Sequence, residues 1–193
     1  MKKRGFLIDQ YSRCWKFFKE SRWHIVFALG IFCLTFIVGF AYPQFFRAEI
    51  FSFIEELMAM LEGKGMFELM GIIFFNNMKA SLFAIILGIS IGILPLVTGV
   101  VNGYLLGFVS REAVAQNGIF VLWQLLPHGI FELPAVLFSI GIGLKIGADM
   151  YSGDVGKKLK YNFVEGLRFF AFVVFPLLLI AGIIEGMLIG MLG

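Results

Sequence analysis

Charge is scarce in this sequence. Asp, Glu, Lys and Arg make up 15% of its 193 residues, where a soluble domain carries roughly 25%. Histidine and cysteine are scarcer still, with two of each. These shortages exclude several function classes. H-E-x-x-H is absent, and no cysteine spacing resembles a zinc set. Cys33 lies inside an apolar run and Cys14 in a basic segment, so no disulfide between them is expected. No arginine-rich patch interleaved with exposed aromatics points to nucleic acid. No glycine loop suits a phosphate, because Gly141-Ile142-Gly143 is too short and sits within an apolar stretch. Ser139 has no evident base beside it. The sequence therefore leads us to expect a protein that is not an enzyme, with no catalytic residue, no metal set and no cofactor.

What is abundant is apolar side chain. The chain is 60% hydrophobic, with 24 phenylalanines and a mean hydropathy of +0.91. Several apolar runs approach or exceed the ~20 residues that span a bilayer. The expected fold class is all-α, a polytopic integral membrane bundle whose first partner is the lipid bilayer. Five spans are expected, at about 23–42, 79–98, 100–114, 128–147 and 163–192, within one membrane domain covering 23–193. Residues 1–22 carry seven basic and two acidic side chains with aromatics between them. They suit an amphipathic helix on the inner membrane surface, or a solvated basic tail. The run from Trp23 is as long as a full span and has no small-x-small site before Pro43, so it reads as a retained helix, not a cleaved signal. His24 is expected to be an accessible interfacial side chain. Residues 44–78 read as outer amphipathic helices broken at Gly63-Lys64-Gly65, and the turn between the second and third spans is expected near Pro95 to Gly99. Five spans place the N-terminus in the cytoplasm and the C-terminus outside, with both basic segments, 1–22 and 145–160, inside the cell membrane.

Polar residues interrupt this pattern at a few places. His128 and Glu132 stand four apart on one helix face, between Pro127 and Pro134. In the expected topology they share the outer half of the membrane with Glu185 and with Asn76-Asn77. Ionisable groups in lipid are costly and face a protein interior or a wet cavity. The group is open to three readings: a satisfied polar knot between helices, a proton- or cation-coupling site, or a metal site, for which only two histidines exist. The asparagine pair either caps the second span or bonds across the bundle. Small residues recur every four positions in three segments: Gly99, Gly103 and Gly107, Gly143 and Gly147, and Gly182, Gly186 and Gly190. That spacing lets helix backbones approach closely, within one chain or across a homodimer. Asn102, on the first of these faces, is placed to bond to a neighbouring helix.

The stretch Leu126-Pro127-His128-Gly129-Ile130-Phe131-Glu132-Leu133-Pro134-Ala135, followed by Gly141-Ile142-Gly143-Leu144 and Gly147, resembles the signature of the stage II sporulation protein M family. Asn76-Asn77, Asn102-Gly103 and Ile184-Glu185 fall in a similar order, and the resemblance covers roughly residues 70 to 190. It implies a multi-span membrane protein. In sporulating bacteria the namesake joins a membrane-anchored complex with two cell-wall-degrading partners and localises them for engulfment without being a hydrolase. The broader family reaches organisms that neither sporulate nor make peptidoglycan. The resemblance implies other membrane or envelope proteins as partners, and carries over His128 and Glu132 only as members of the signature.

Overall fold

The structure is a computed structural model. It describes residues 5–152 and 155–192, and the side chains at 57, 61, 124–128, 186 and 188–192 lie outside the described set. Among the described residues the chain forms helices α1 (Phe6–Ala41), α2 (Arg47–Leu61), α3 (Met66–Ile86), α4 (Ile93–Asn117), α5 (Leu122–Asp149), α6 (Val155–Phe169) and α7 (Phe175–Leu192). Short 3₁₀ turns at Leu87–Ile89 and Ile119–Val121 precede α4 and α5, and a π-helical turn at Phe170–Val174 joins α6 to α7. Five stretches are long and apolar enough to cross a bilayer: Phe6–Ala41, Met66–Ile89, Ile93–Asn117, Gly129–Asp149 and Val155–Glu185.

The helix bounds depart from the expected ones, each for a local reason. Residues 6–22 are not a separate surface helix. Nothing between Phe6 and Ala41 breaks the ladder, so α1 is one rod of 36 residues, about 54 Å long at ~1.5 Å per residue. Asn76 and Asn77 do not cap a helix that starts at Lys79. The helix begins at Met66, where the Glu68 carboxylate accepts a hydrogen bond from the Gly65 N–H at 3.2 Å. That is half of a capping box, since glycine has no side chain to return the bond. The second turn lies at 87–92 rather than at Pro95 to Gly99. Ile91 and Gly92 take positive φ (61° and 75°) there, which reverses the chain. Pro95 falls in the first turn of α4, where its missing N–H forfeits no helical bond. The third span accordingly begins at Ile93 instead of about Val100. Helix α5 starts at Leu122 and runs through Pro127 and Pro134, six residues before the expected start at His128. The last span begins at Val155, not Phe163. The π turn at Phe170–Val174 ends two residues before Pro176, whose ring would otherwise meet the carbonyl four residues back.

Helix α5 is the hub. It packs against α1, α3, α4, α6 and α7, and 44% of its most apolar window is buried, against 17% for α1. Ala135, Val136, Leu137, Ile140, Ile142 and Ile146 are all buried. Glycines set how close the neighbours come. A Cβ at Gly141 would strike the backbone of Ile25, one at Gly143 the Ala84 carbonyl, and one at Gly147 the Gly92 backbone. Helix α4 meets α1 in the same way. Gly103 lies against Phe32 and Thr35, Gly107 against Phe36, and Gly39 of α1 against Tyr104. Contacts advance in step along both helices, so α1 and α4 run parallel. Gly99 faces Ile140 at ordinary contact, and Gly182 lies against Phe74. Gly186 and Gly190 lie outside the described side chains. Asn102 does not reach across the bundle: it is exposed, and its amide donates to the Thr98 carbonyl of its own helix at 2.8 Å.

Helix α2 sits apart. Its first turns rest on α4, with Ile50 buried, Phe51 edge-on to Phe108 at 5.6 Å between centroids, and Arg47 bonded to Glu112 at 3.1 Å. A sharp test of the fold is a pair of glycine substitutions. Gly143→Ala should push α3 from α5 and cost about 1–3 kcal/mol by overpacking. Gly156→Ala, whose Cβ meets nothing, should be neutral or gain up to about 1 kcal/mol. Thermal unfolding in detergent, followed by the loss of monodisperse protein, reads both.

Candidate functional site

Of the residues singled out in sequence, Asn76 faces away from the bundle, while Asn77, Glu132 and Glu185 are half-buried. Glu132 on α5 and Glu185 on α7 are half-buried, on helices that pack together, and both are partnered. Asn77 is half-buried on the stripe of α3 that also carries Phe74, Ser81 and Ile85. Phe74 meets Phe175 of α7 at 5.6 Å, so this stripe faces the bundle. Asn76, about 100° round the helix, is exposed and lines a surface recess. The His128 side chain lies outside the described residues.

Buried charge is concentrated at the other end of the bundle, where α1, α5 and α6 meet. Three cations, Arg13, Lys145 and Arg168, face three carboxylates, Glu20, Asp149 and Glu165. Glu165 is 4% exposed and is gripped from both sides, by Arg13 of α1 and by Arg168 one helical turn on, at 3.3 Å. Lys145 is 12% exposed. It reaches Glu20 at 3.7 Å and Ser21 at 3.4 Å, and its ammonium lies 4.4 Å from the centre of the Phe17 ring. Tyr161 donates to Glu20 at 3.1 Å, and the Asn162 amide donates to Asp149 at 2.6 Å. His24 is half-buried with its Nδ1 enclosed, not the accessible interfacial histidine expected.

Local sequence explains this cluster. Helix α6 is strongly amphipathic. Asn162, Glu165, Gly166 and Phe169 share its buried face, while Lys157, Lys158 and Lys160 are exposed. Gly166 leaves room for Ile142 and Ile85, which brings α6 close enough to α5 for Asn162 to reach Asp149. The signal that would have found the cluster was present. Glu165 and Arg168 are an i, i+3 pair at the start of a run whose only other charged residue is Glu185. Chemically the arrangement is a clamp. It neutralises its own charges and ties the first half of α1 to the bundle. Among the described residues no three His, Cys, Asp or Glu side chains converge as a metal set.

Comparison with known proteins bears on this geometry. A model of the family described as "Stage II sporulation protein M" matches residues 24–188, from the second half of α1 through most of α7. The chain belongs to the stage II sporulation protein M family. It is also similar to "Uncharacterized protein MJ0706" of the archaeon Methanocaldococcus jannaschii, 29% identical over 114 residues. That stretch is 56% of this chain and 51% of the relative, so the match spans about half of the relative's length. No solved structure matches. Family membership and five apolar helices make this an integral membrane protein. Within the sporulation protein M match, the clamp contributes Lys145, Asp149, Asn162, Glu165 and Arg168. Its partners Arg13, Glu20 and Ser21 lie ahead of the matched range.

Removing one member of a buried ion pair leaves an uncompensated charge and costs about 3–5 kcal/mol. Glu165→Gln strips both Arg13 and Arg168 of their counter-charge and should fall in that range. Arg13→Met should cost clearly less, since Arg13 is 46% exposed and Arg168 still faces Glu165. Unfolding of the two variants in the same detergent should rank them in that order.

Proposed function

We propose that this protein is a non-enzymatic membrane scaffold that recruits or anchors partner membrane or envelope proteins. The precedent is the family's role in sporulating bacteria, where it localises cell-wall hydrolases for engulfment. One observation carries the reading. Among its described side chains, helix α2 is anchored through its first turns, and beyond them Phe53, Met58 and Met60 are 52–65% exposed on a helix that also presents Glu55 and Glu56. An amphipathic helix whose apolar side chains face outward suits a partner helix or groove. The charge of the clamp end supports an orientation. Arg13, Lys16, Lys19 and Arg22 on α1 and Lys157, Lys158 and Lys160 on α6 lie at one end of the bundle, and positive loops stay cytoplasmic. The N-terminus is then inside, and α2 and the C-terminus are outside, where envelope partners or a second copy of this chain meet them.

A second reading rests on Glu132 and Glu185, half-buried on adjacent spans. Carboxylates so placed suit a proton- or cation-coupled transporter or channel, the reading for which the sequence also offers His128. One set of variants separates the two. With a photo-crosslinking residue at Met58, the scaffold reading expects a discrete cross-linked partner in native membranes, lost in Phe53→Ser with Met60→Ser while the protein stays monodisperse. Transport instead expects ion flux in liposomes that Glu132→Gln abolishes without unfolding. Cross-linking that survives the serine substitutions contradicts the scaffold reading, and absence of flux from folded protein contradicts transport.

A further inference from the structure

One face of α3 carries charge where a lipid-facing helix ordinarily carries none. The apolar stretch Met66–Ile89 is one of the five long enough to span, and Lys79 lies 13 residues along it, about 20 Å from its start at ~1.5 Å per residue. Lys79 and Asn76 are both exposed. A charge at such depth faces water, a partner or a snorkelled headgroup, because hydrocarbon does not solvate it. Here the charge lines a recess of about 590 Å³ that reaches from Lys79 past Asn76 to Lys64 in the loop before the helix. Helical side chains lean toward the N-terminus of their helix, so Lys79 leans toward Asn76 and the Lys64 end. The carboxylate in the recess, Glu68, accepts the Gly65 N–H and is held at the helix start.

An apolar groove adjoins this recess. Met70, Gly71 and Phe74 of α3 and Leu179, Gly182 and Ile183 of α7 line about 160 Å³. Gly71 belongs to both hollows, and a Cβ there would meet nothing, so the two adjoin at that residue. A cationic, amide-lined recess joined to a narrow apolar slot on an outward-facing span fits a ligand with an anionic head and a hydrocarbon chain. We propose that this face binds an anionic phospholipid, its phosphate among Lys64, Asn76 and Lys79 and one acyl chain in the groove between Gly71 and Gly182. Two lysines supply the charge complementarity, and the surrounding bilayer supplies the ligand.

The test is lipid retention by the intact protein, read by native mass spectrometry from mixed micelles containing equal phosphatidylglycerol and phosphatidylcholine. The parent protein should retain phosphatidylglycerol in preference. Lys79→Gln should lower that preference by roughly fivefold, as expected for one lysine near a phosphate. Gly71→Leu should reduce retention of both lipids by filling the slot. Lys157→Gln, on the exposed face of α6, should leave both unchanged. Each variant is first checked for monodispersity, and Lys64→Gln replaces Lys79→Gln if the latter misfolds. Equal retention of the two lipids by the parent overturns the assignment, as does an unaltered preference in the folded lysine variant. Displacement of the lipid by soluble glycerol phosphate also overturns it, because the chain then contributes nothing.

Discussion

Three glycines within seven residues of α5 let three other parts of the chain touch its backbone. Gly141 admits α1, Gly143 admits α3, and Gly147 admits the turn that starts α4. In lipid no hydrophobic driving force draws helices together, because acyl tails are as apolar as leucine. Association depends on close packing, and contact at backbone distance brings the most atoms within dispersion range. With larger residues at these positions, α5 would keep its apolar surface but lose its neighbours, and the other helices would have no common partner. The positive φ of Gly92 belongs to the same constraint. The turn must reverse sharply to bring its backbone onto Gly147.

The clamp of buried charges depends on that packing. Glu165 is held between Arg13 and Arg168 only because Gly166 sets α6 against Ile142 of α5. Lys145 meets Glu20 only because α1 crosses α5 at Gly141. A charge taken out of water is costly, and its pairing offsets the cost only when the geometry is fixed by something else. Here it is fixed by apolar contact, and the charges in turn tie the first half of α1 to α5 and α6. The two ends of the molecule differ accordingly. One is closed by paired ions. At the other, α2 is held by Arg47 and Phe51 at its start and exposes apolar side chains beyond.

Much of the fold was legible in the sequence, because hydropathy over ~20 residues reports on burial in lipid directly. The all-helical class and the five spans follow from it. The bounds did not. Proline suggests a break, yet Pro127 and Pro134 lie inside α5 and Pro95 inside the first turn of α4. Propensity counts the lost hydrogen bond but not the packing that keeps a helix going on either side. The real turn, at Ile91-Gly92, is announced only by glycines in a run full of them. The site was less legible than the fold. His128, Glu132, Glu185 and the asparagines drew attention as polar interruptions, and α3 then turned Asn76 and Asn77 to different faces. Glu165 and Arg168 carried the same kind of signal. Their role needed Arg13, which lies 152 residues away in sequence, and nothing local reports such a partner.

A membrane protein whose helices converge on one glycine-lined rod can hold exposed elements at fixed positions on either side, as the scaffold role proposed above requires. The convergence itself is open to direct measurement. In a chain with Cys14 and Cys33 replaced by serine, cysteines at Gly99 and Ile140 face each other across α4 and α5, where a Cβ added at Gly99 would lie 3.6 Å from the Ile140 side chain. Mild oxidation in native membranes should join them into an intramolecular disulfide, while a cysteine at exposed Val101 paired with Ile140 should stay reduced. Failure of the first pair, or equal cross-linking of the second, would contradict the central place of α5.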